Sequence, residues 1–411
     1  MRKSHCFDRR TIIKTGMALP LATITAPFVS RTVAQGADKP FKFVTLASLT
    51  GSGTSFGTGM AAAVRRSIEK INAGGGVLGR PMESVEVDTS TDAAKALLLL
   101  QDIVSRDRPV AVFQAGSTAE ALSEAPLAVR EKLPFLTVAD LPALDDVAKF
   151  PYVFSTQTAF IGYATVYANT LKAAGVKSAC LMTALDGTGE MNTEGMPRAL
   201  KAANIELRGL ERFKVADVDM TSQLRTLEQA NPDVLLIEAT GAPSGYILNG
   251  VIRLGITRPI VVGKSMAGVN LETLVDLSKL PPVYTFNHAI SHRGPGGRGD
   301  SPLVKAEMPY FEKYSGGKLT TALYLYAWGY DAPLIWAAAA TRIKGADGEK
   351  IVAEWENWSA NPPTNVEFMT RQSYPYTRQS HLPPAAESGY TLGRLGTLDA
   401  SGTRESVAFK L

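Results

Sequence analysis

The stretch Phe41–Arg80, FKFVTLASLTGSGTSFGTGMAAAVRRSIEKINAGGGVLGR, decides how the rest of the 411-residue chain is read. Phe41, Phe43, Val44, Leu46, Ala47 and Leu49 form a nearly unbroken apolar run, as a strand buried on both faces of a parallel sheet requires. A turn is predicted over Thr50–Gly59, which holds four glycines and five hydroxyl residues. A helix should follow, with Met60, Ala63, Val64, Ile68 and Ile71 three or four apart on one face. Such a strand-to-helix turn presents free backbone N–H groups. From this stretch alone two readings stay open, a binding cleft or an ordinary connection, since sites in open α/β folds lie at such strand ends.

Hydrophobic residues make up 45% of the chain and charged residues 20%, the balance of an ordinary soluble protein long enough for two domains. Residues 1–34 read as an export signal peptide. Arg2, Lys3, Arg9 and Arg10 form a basic start, Thr15–Val29 a mild apolar region, and Thr32-Val33-Ala34 a cleavage triplet. Asp8-Arg9-Arg10-Thr11-Ile12-Ile13-Lys14 resembles the twin-arginine export signal, the alternative being a chance arginine pair in a general secretory leader. This segment has six basic residues and one acidic residue, a net of +5 against +4 for the whole chain, so the mature protein is near −1. That balance argues against nucleic-acid or membrane-surface binding, and no direct membrane insertion of the mature chain is expected. Cys180 is the one cysteine expected after cleavage, and its apolar strand context reads as inert core.

Further along, strands are predicted at Met82–Val87, Pro109–Gln114, Pro134–Val138 and Tyr152–Thr156, alternating with helices from Asp92 and Ser117. Ser117 and Glu120 have capping-box spacing. The alternation restarts with a helix at Phe160–Ala174 and strands at Ser178–Thr183, Ile205–Phe213, Pro232–Glu238, Pro259–Val262 and Val283–Asn287. Helices are predicted over Pro302–Ser315, Thr320–Ile343 and Lys350–Trp358, with short strands at Tyr390–Leu398 and Ser406–Leu411. The fold class is α/β, with two doubly wound parallel-sheet units.

Several motifs together resemble the type I periplasmic binding proteins, in the branched-chain amino acid–binding group of ABC-transporter receptors. They are Leu49-Thr50-Gly51 with Phe56-Gly57, the run Ile71–Arg80, Gly116-Ser117-Thr118, and Tyr330-Asp331-Ala332. The resemblance implies two lobes joined by three hinge crossings, placed near 157, 286 and 360. Residues 40–157 and 286–360 would build the N-terminal lobe, 158–285 the C-terminal lobe, and 361–411 the tail of the latter. It implies a periplasmic receptor, not an enzyme, without cofactor or metal. The receptor would deliver a small amino acid, amide or organic acid to an ABC permease in the inner membrane. By position, Phe56 would cover the ligand and Gly116, Ser117 and Thr118 would hold its carboxylate at a helix N-terminus, with Ala139 and Asp140 beside them. Asp186, Thr240, Lys264 and Ser265 would close from the second lobe. Lys264 stands where amino acid binders of the family often place an acidic residue, which questions an α-ammonium on the ligand.

Enzyme motifs fit less well. Gly51-Ser52-Gly53-Thr54-Ser55-Phe56 lacks the last glycine of a dinucleotide fingerprint. Gly263-Lys264-Ser265-Met266-Ala267 approximates a nucleophile elbow, so the alternative is an exported α/β hydrolase using Ser265 with a histidine and an aspartate. His288 and His292 lack the glutamate of a zinc-protease helix, and Arg298-Gly299-Asp300 lies in a glycine-rich loop. Trp328 and Trp336, eight apart on an apolar helix, read as core.

Overall fold

The computed structural model describes residues 39–51, 53–239, 241–268, 271–317, 319, 321–396 and 403–410. The expected leader and Thr240 lie outside the described residues. The first alternation is β1 (Phe41–Ala47), α1 (Thr54–Ala73), β2 (Met82–Asp88), α2 (Ala93–Asp107), β3 (Ala111–Ala115), α3 (Thr118–Arg130), β4 (Phe135–Thr137) and β5 (Val153–Ser155). Its strands pair in the order β2-β1-β3-β4-β5, all parallel.

The second alternation is α4 (Phe160–Ala173), β6 (Ser178–Ala184), α5 (Gly187–Ala202), β7 (Glu206–Phe213), α6 (Thr221–Gln229), β8 (Val234–Glu238), α7 (Ala242–Leu254), β9 (Ile260–Val262), the single turn α8 (Lys264–Ala267) and β10 (Val283–His288). There follow β11 (His292–Arg293), α9 (Pro302–Tyr314), α10 (Leu323–Ile343), α11 (Gly348–Glu356), β12 (Tyr390–Arg394) and β13 (Arg404–Glu405). The second sheet runs β12-β10-β9-β8-β6-β7, with β12 antiparallel to β10 and the other pairs parallel.

The apolar run of β1 divides as the strand period requires. Phe41, Phe43 and Ala47 enter a core with α1 and α10, while Val44 and Leu46 enter a core with α2 and α3. Helix α1 opens at Thr54, earlier than predicted, so Phe56 lies in its first turn. The connection is short because Asp88, at the end of β2, accepts bonds from the N–H groups of Leu49 and Thr50 (both 3.0 Å) and from the Thr50 hydroxyl (2.6 Å). Burial works against the Asp88 charge, but hydrogen bonds from Thr50 and Ser90 outweigh it and hold the carboxyl well below the usual range.

Helix α10 is buried on nearly every side, as its apolar composition dictates. Trp336 meets Phe41 edge-on at 5.2 Å between ring centroids. Gly329 faces the backbone of α1, where an added Cβ would stand 2.2 Å from the Met60 carbonyl oxygen. Asp331 accepts bonds from the N–H groups of Met369 (2.6 Å) and Thr370 (2.9 Å) and from the Tyr374 hydroxyl (2.7 Å). These bonds fix the chain after residue 360, which had been expected to belong to the second lobe. Phe368, Met369, Tyr374 and Tyr376 instead join the first core. The strand expected over Ser406–Leu411 reduces to a single bridge from Ser406 to Gly393 beside β13. Cys180 is buried in β6, and burial pushes its thiol up to about 11.

The contact at Gly329 gives a direct test. Gly329→Ala should destabilise the protein by about 2 kcal/mol or more in urea denaturation, because neither backbone can yield cheaply. Gly187→Ala, where an added Cβ meets nothing within 4 Å, should be neutral or mildly stabilising. Equal effects of the two substitutions would contradict this packing.

Candidate functional site

Parallel strands bring their C-terminal ends to one edge, and the turns there meet in a cavity of about 240 Å³. From the first sheet come Gly116, Ser117 and Thr118 after β3, Ala139 and Asp140 after β4, and Gln157 after β5. From the second come Glu238 at the end of β8, and Lys264 and Ser265 after β9. Apolar walls are supplied by Phe56 and Met60 of α1, Phe160 of α4, Met191 of α5, and Tyr324 and Trp328 of α10. The structure therefore brings eight of the ten residues singled out from the sequence around one cavity: Phe56, Gly116, Ser117, Thr118, Ala139, Asp140, Lys264 and Ser265. Asp186 does not line it. Its carboxylate caps α5, accepting from the Gly189 N–H at 2.8 Å. Thr240 is not described.

The residues after β3 divide their tasks. The Ser117 hydroxyl accepts from the Glu120 N–H at 3.3 Å while Glu120 accepts from the Ser117 N–H at 2.5 Å, completing the expected capping box. That leaves the first-turn N–H groups of Thr118 and Ala119 without an intrahelical acceptor, at the positive end of α3. The Ser117 hydroxyl is thus engaged as an acceptor, and Thr118 lines the cavity beside it.

Charges in the cavity are paired internally. The Lys264 ammonium donates to Asp140 at 2.5 Å and to the Gln157 side-chain oxygen at 2.9 Å. Both members of the ion pair are nearly enclosed, with side chains 12% and 8% exposed. Burial alone would lower the Lys264 pKa, but the adjacent Asp140 carboxylate reverses this and leaves it above the ordinary lysine value. Gln157 is held in turn by the Val138 carbonyl oxygen, to which its amide donates. The bond from Lys264 to Asp140 crosses the cleft, tying a strand end of one sheet to a strand end of the other.

Glu238 lines the same cavity as this pair. Its Oε1 stands 3.4 Å from the Tyr163 hydroxyl, and its Oε2 is buried without a hydrogen-bond partner. Gly263 makes room for it, since a Cβ there would overlap Oε1 at 1.2 Å. Burial pushes the Glu238 carboxyl up to about 8, against the opposing pull of Lys264 and the Tyr163 hydroxyl. At neutral pH this group is mostly uncharged.

Ser265 has no catalytic partner among the described residues. His292 shares a bond with the Thr285 hydroxyl at 2.9 Å, and His381 bonds the Val153 carbonyl oxygen at 3.0 Å and Glu356 at 3.3 Å. The His288 ring packs against Tyr324, Trp328 and Tyr390. The described residues include no group of three or more side chains placed to hold a metal.

Sequence reasoning missed Glu238, Gln157, Tyr324 and Trp328. Glu238 ends the apolar run PDVLLIE, and a carboxylate at the end of a buried parallel strand was the available signal. Trp328 had been read as core. It is indeed 4% exposed, yet it faces the cleft, while Trp336 is wholly core. Nothing in a helix that is apolar all round distinguishes those two positions.

The Glu238 environment fixes a sign for the pH dependence of stability. Its folded pKa of about 8 exceeds the ordinary 4.5, so the folded state holds a proton that the unfolded state releases between those values. The stabilising contribution is complete below about pH 4.5 and is lost as pH rises through about 8. Compared with Glu238→Gln, the native protein should lose up to about 1.4 kcal/mol per pH unit in this window, measured by urea denaturation. Parallel pH profiles for the two proteins would rule out a buried, protonated Glu238.

A family model described as periplasmic binding protein matches residues 40–373. No curated protein matches the sequence. Among solved structures, a solute-binding protein of an ABC transporter from Rhodopseudomonas palustris, in complex with 3,4-dihydroxybenzoic acid, is 18% identical. The match covers 91% of this chain and 98% of that one, with a TM-score of 0.69. The branched-chain amino acid transporter substrate-binding protein LivJ from Streptococcus pneumoniae, in complex with isoleucine, is 17% identical. Coverage is 90% and 94%, and the TM-score is 0.65. An ABC transporter substrate-binding protein from Sphaerobacter thermophilus is 19% identical, with coverage of 90% and 97% and a TM-score of 0.73. A family model spanning most of the chain, together with two largely parallel sheets meeting at one cleft, shows that the chain belongs to the periplasmic binding protein family and has its type I fold.

Proposed function

We propose that this protein is the extracytoplasmic solute receptor of an ABC importer, and that its cleft takes a small, largely apolar monocarboxylate in preference to an α-amino acid. The observation that carries the ligand class is the pairing of charge in the cavity. An α-ammonium needs a free carboxylate, but Asp140 is held by Lys264, and Glu238 is kept largely protonated by burial. A carboxylate, by contrast, finds the Thr118 hydroxyl and the open N–H groups at the start of α3. Phe56, Tyr324 and Trp328 offer aromatic faces to an apolar body. Structural neighbours hold both kinds of ligand, isoleucine in one and 3,4-dihydroxybenzoic acid or 4-hydroxybenzoate in others, so the fold is compatible with either.

The receptor works by capture and closure. The acid binds first to the first-lobe wall formed by the start of α3 and Phe56. The second lobe then closes with Lys264, Ser265 and the start of α5, and the closed form is presented to the permease. The first lobe comprises residues 40–157 together with roughly 294–381, since Phe368, Tyr374 and Tyr376 lie in the first core and His381 stacks on Phe154. The second comprises residues 158–288 and the chain from roughly 382 onward, which supplies β12 to the second sheet. Export, by the twin-arginine signal or a general secretory one, would place the receptor where the family acts. Among the described residues no helix is long and apolar enough to cross a membrane.

A thermal-shift comparison of matched pairs tests the ligand class. Saturating 4-hydroxybenzoate or 4-methylpentanoate should raise Tm by several degrees, and leucine and isoleucine should raise it little. Strong stabilisation by leucine with none by 4-methylpentanoate would overturn the proposed ligand. Thr118→Val should weaken the best acid by about tenfold in Kd, the loss of one hydrogen bond to a charged group. An unchanged Kd would remove the start of α3 from the carboxylate site.

A further inference from the structure

We propose a second ligand site at the hinge, in which Arg298, Arg371 and His288 hold a small inorganic oxyanion of the phosphate or sulfate type. These residues line a cavity of about 310 Å³ that is separate from the solute cleft. Three chain passages between the lobes meet there. Arg371, in the segment leading to β12, donates to the hydroxyl of Thr158, just before α4, at 2.6 Å. Arg298, in the loop after β11, donates to the Thr370 carbonyl oxygen at 3.1 Å.

Among the described residues neither guanidinium meets a carboxylate. Each bonds a neutral oxygen, and the Arg371 Nε is buried without a hydrogen-bond partner. Asp331, the carboxylate that anchors the same segment, is already occupied by two backbone N–H groups and the Tyr374 hydroxyl. No acidic side chain lines the cavity among the described residues, while Ser373 and Ser388 do. Two partly desolvated guanidiniums around one cavity are costly unless an anion accompanies them. Their planar donor sets match the paired oxygens of an oxyanion.

His288 supplies the independent observation. It is 3% exposed, it lines this cavity, and its Nε2 has no hydrogen-bond partner. Burial, reinforced by the charges of Lys264, Arg371 and His292, lowers its pKa well below the ordinary histidine value. An anion between Arg371 and His288 would offset that field and accept from the ring. The His288 ring also touches Tyr324 and Trp328, which line the solute cleft, at centroid distances of 5.0 and 5.3 Å. The His288 ring on one side and the Tyr324 and Trp328 rings on the other thus lie in contact between the two cavities.

Isothermal titration of the full-length mature protein with inorganic phosphate and with sulfate tests the site, with chloride holding ionic strength constant. Saturable binding with a Kd of about 1 mM or tighter is expected for at least one oxyanion. Arg298→Gln and Arg371→Gln should each weaken it by about tenfold or more and leave the thermal shift caused by the cleft solute intact. Arg298 bonds a single backbone carbonyl oxygen, so its variant keeps the test sound if Arg371→Gln folds poorly. Absence of saturable binding up to about 20 mM, or equal Kd values for native protein and both variants, would refute the site.

Discussion

The ion pair between Lys264 and Asp140 governs the chemistry of the cleft. It joins the end of β9 in one sheet to the end of β4 in the other, at 2.5 Å and with both groups nearly enclosed. An isolated ammonium at this depth would be too costly, and so would an isolated carboxylate. Each is tolerated because the other is present, with Gln157 sharing the ammonium. The pair removes the lysine as a repulsive charge toward cationic ligands, and it equally removes the aspartate as their acceptor. What remains open in the cleft is a positive helix end, a hydroxyl and aromatic surface.

Glu238 completes this arrangement. A charged carboxylate at the end of β8 would recreate a site for an ammonium. Its burial beside Tyr163 and Gly263 keeps it mostly protonated at neutral pH instead. Lys264 stands where the family resemblance implies an acidic residue, and burial keeps the nearby Glu238 carboxyl mostly protonated. Both features support the monocarboxylate ligand proposed above.

Much of the fold was legible in the sequence because the signals were local. The apolar run of β1, the capping box at Ser117 and the alternation of strands with helices are each written in a few adjacent residues. The cleft was legible where turns follow strands, which is why Gly116, Thr118, Asp140 and Lys264 meet there. Errors arose where long-range contacts decide. Thr50–Gly59 looks like a long glycine turn until Asp88, 38 residues away from Thr50, binds the Thr50 N–H and hydroxyl at its start, with α1 beginning at Thr54. The segment after residue 360 looks like a tail until Asp331 captures Met369 and Thr370. Asp186 sits at a strand end, as a ligand contact should, yet it is consumed by its own helix.

Lys264 and Asp140 stabilise each other across the cleft. A double-mutant cycle built from Lys264→Met, Asp140→Asn and the double variant, read by urea denaturation, measures that coupling directly. Each single substitution should cost about 3 kcal/mol by stranding its partner, and the double variant much less than the sum, a coupling of about 2 kcal/mol or more. Additive single effects, with coupling below about 0.5 kcal/mol, would mean that the two groups do not hold one another and that Asp140 is free to receive a cationic ligand.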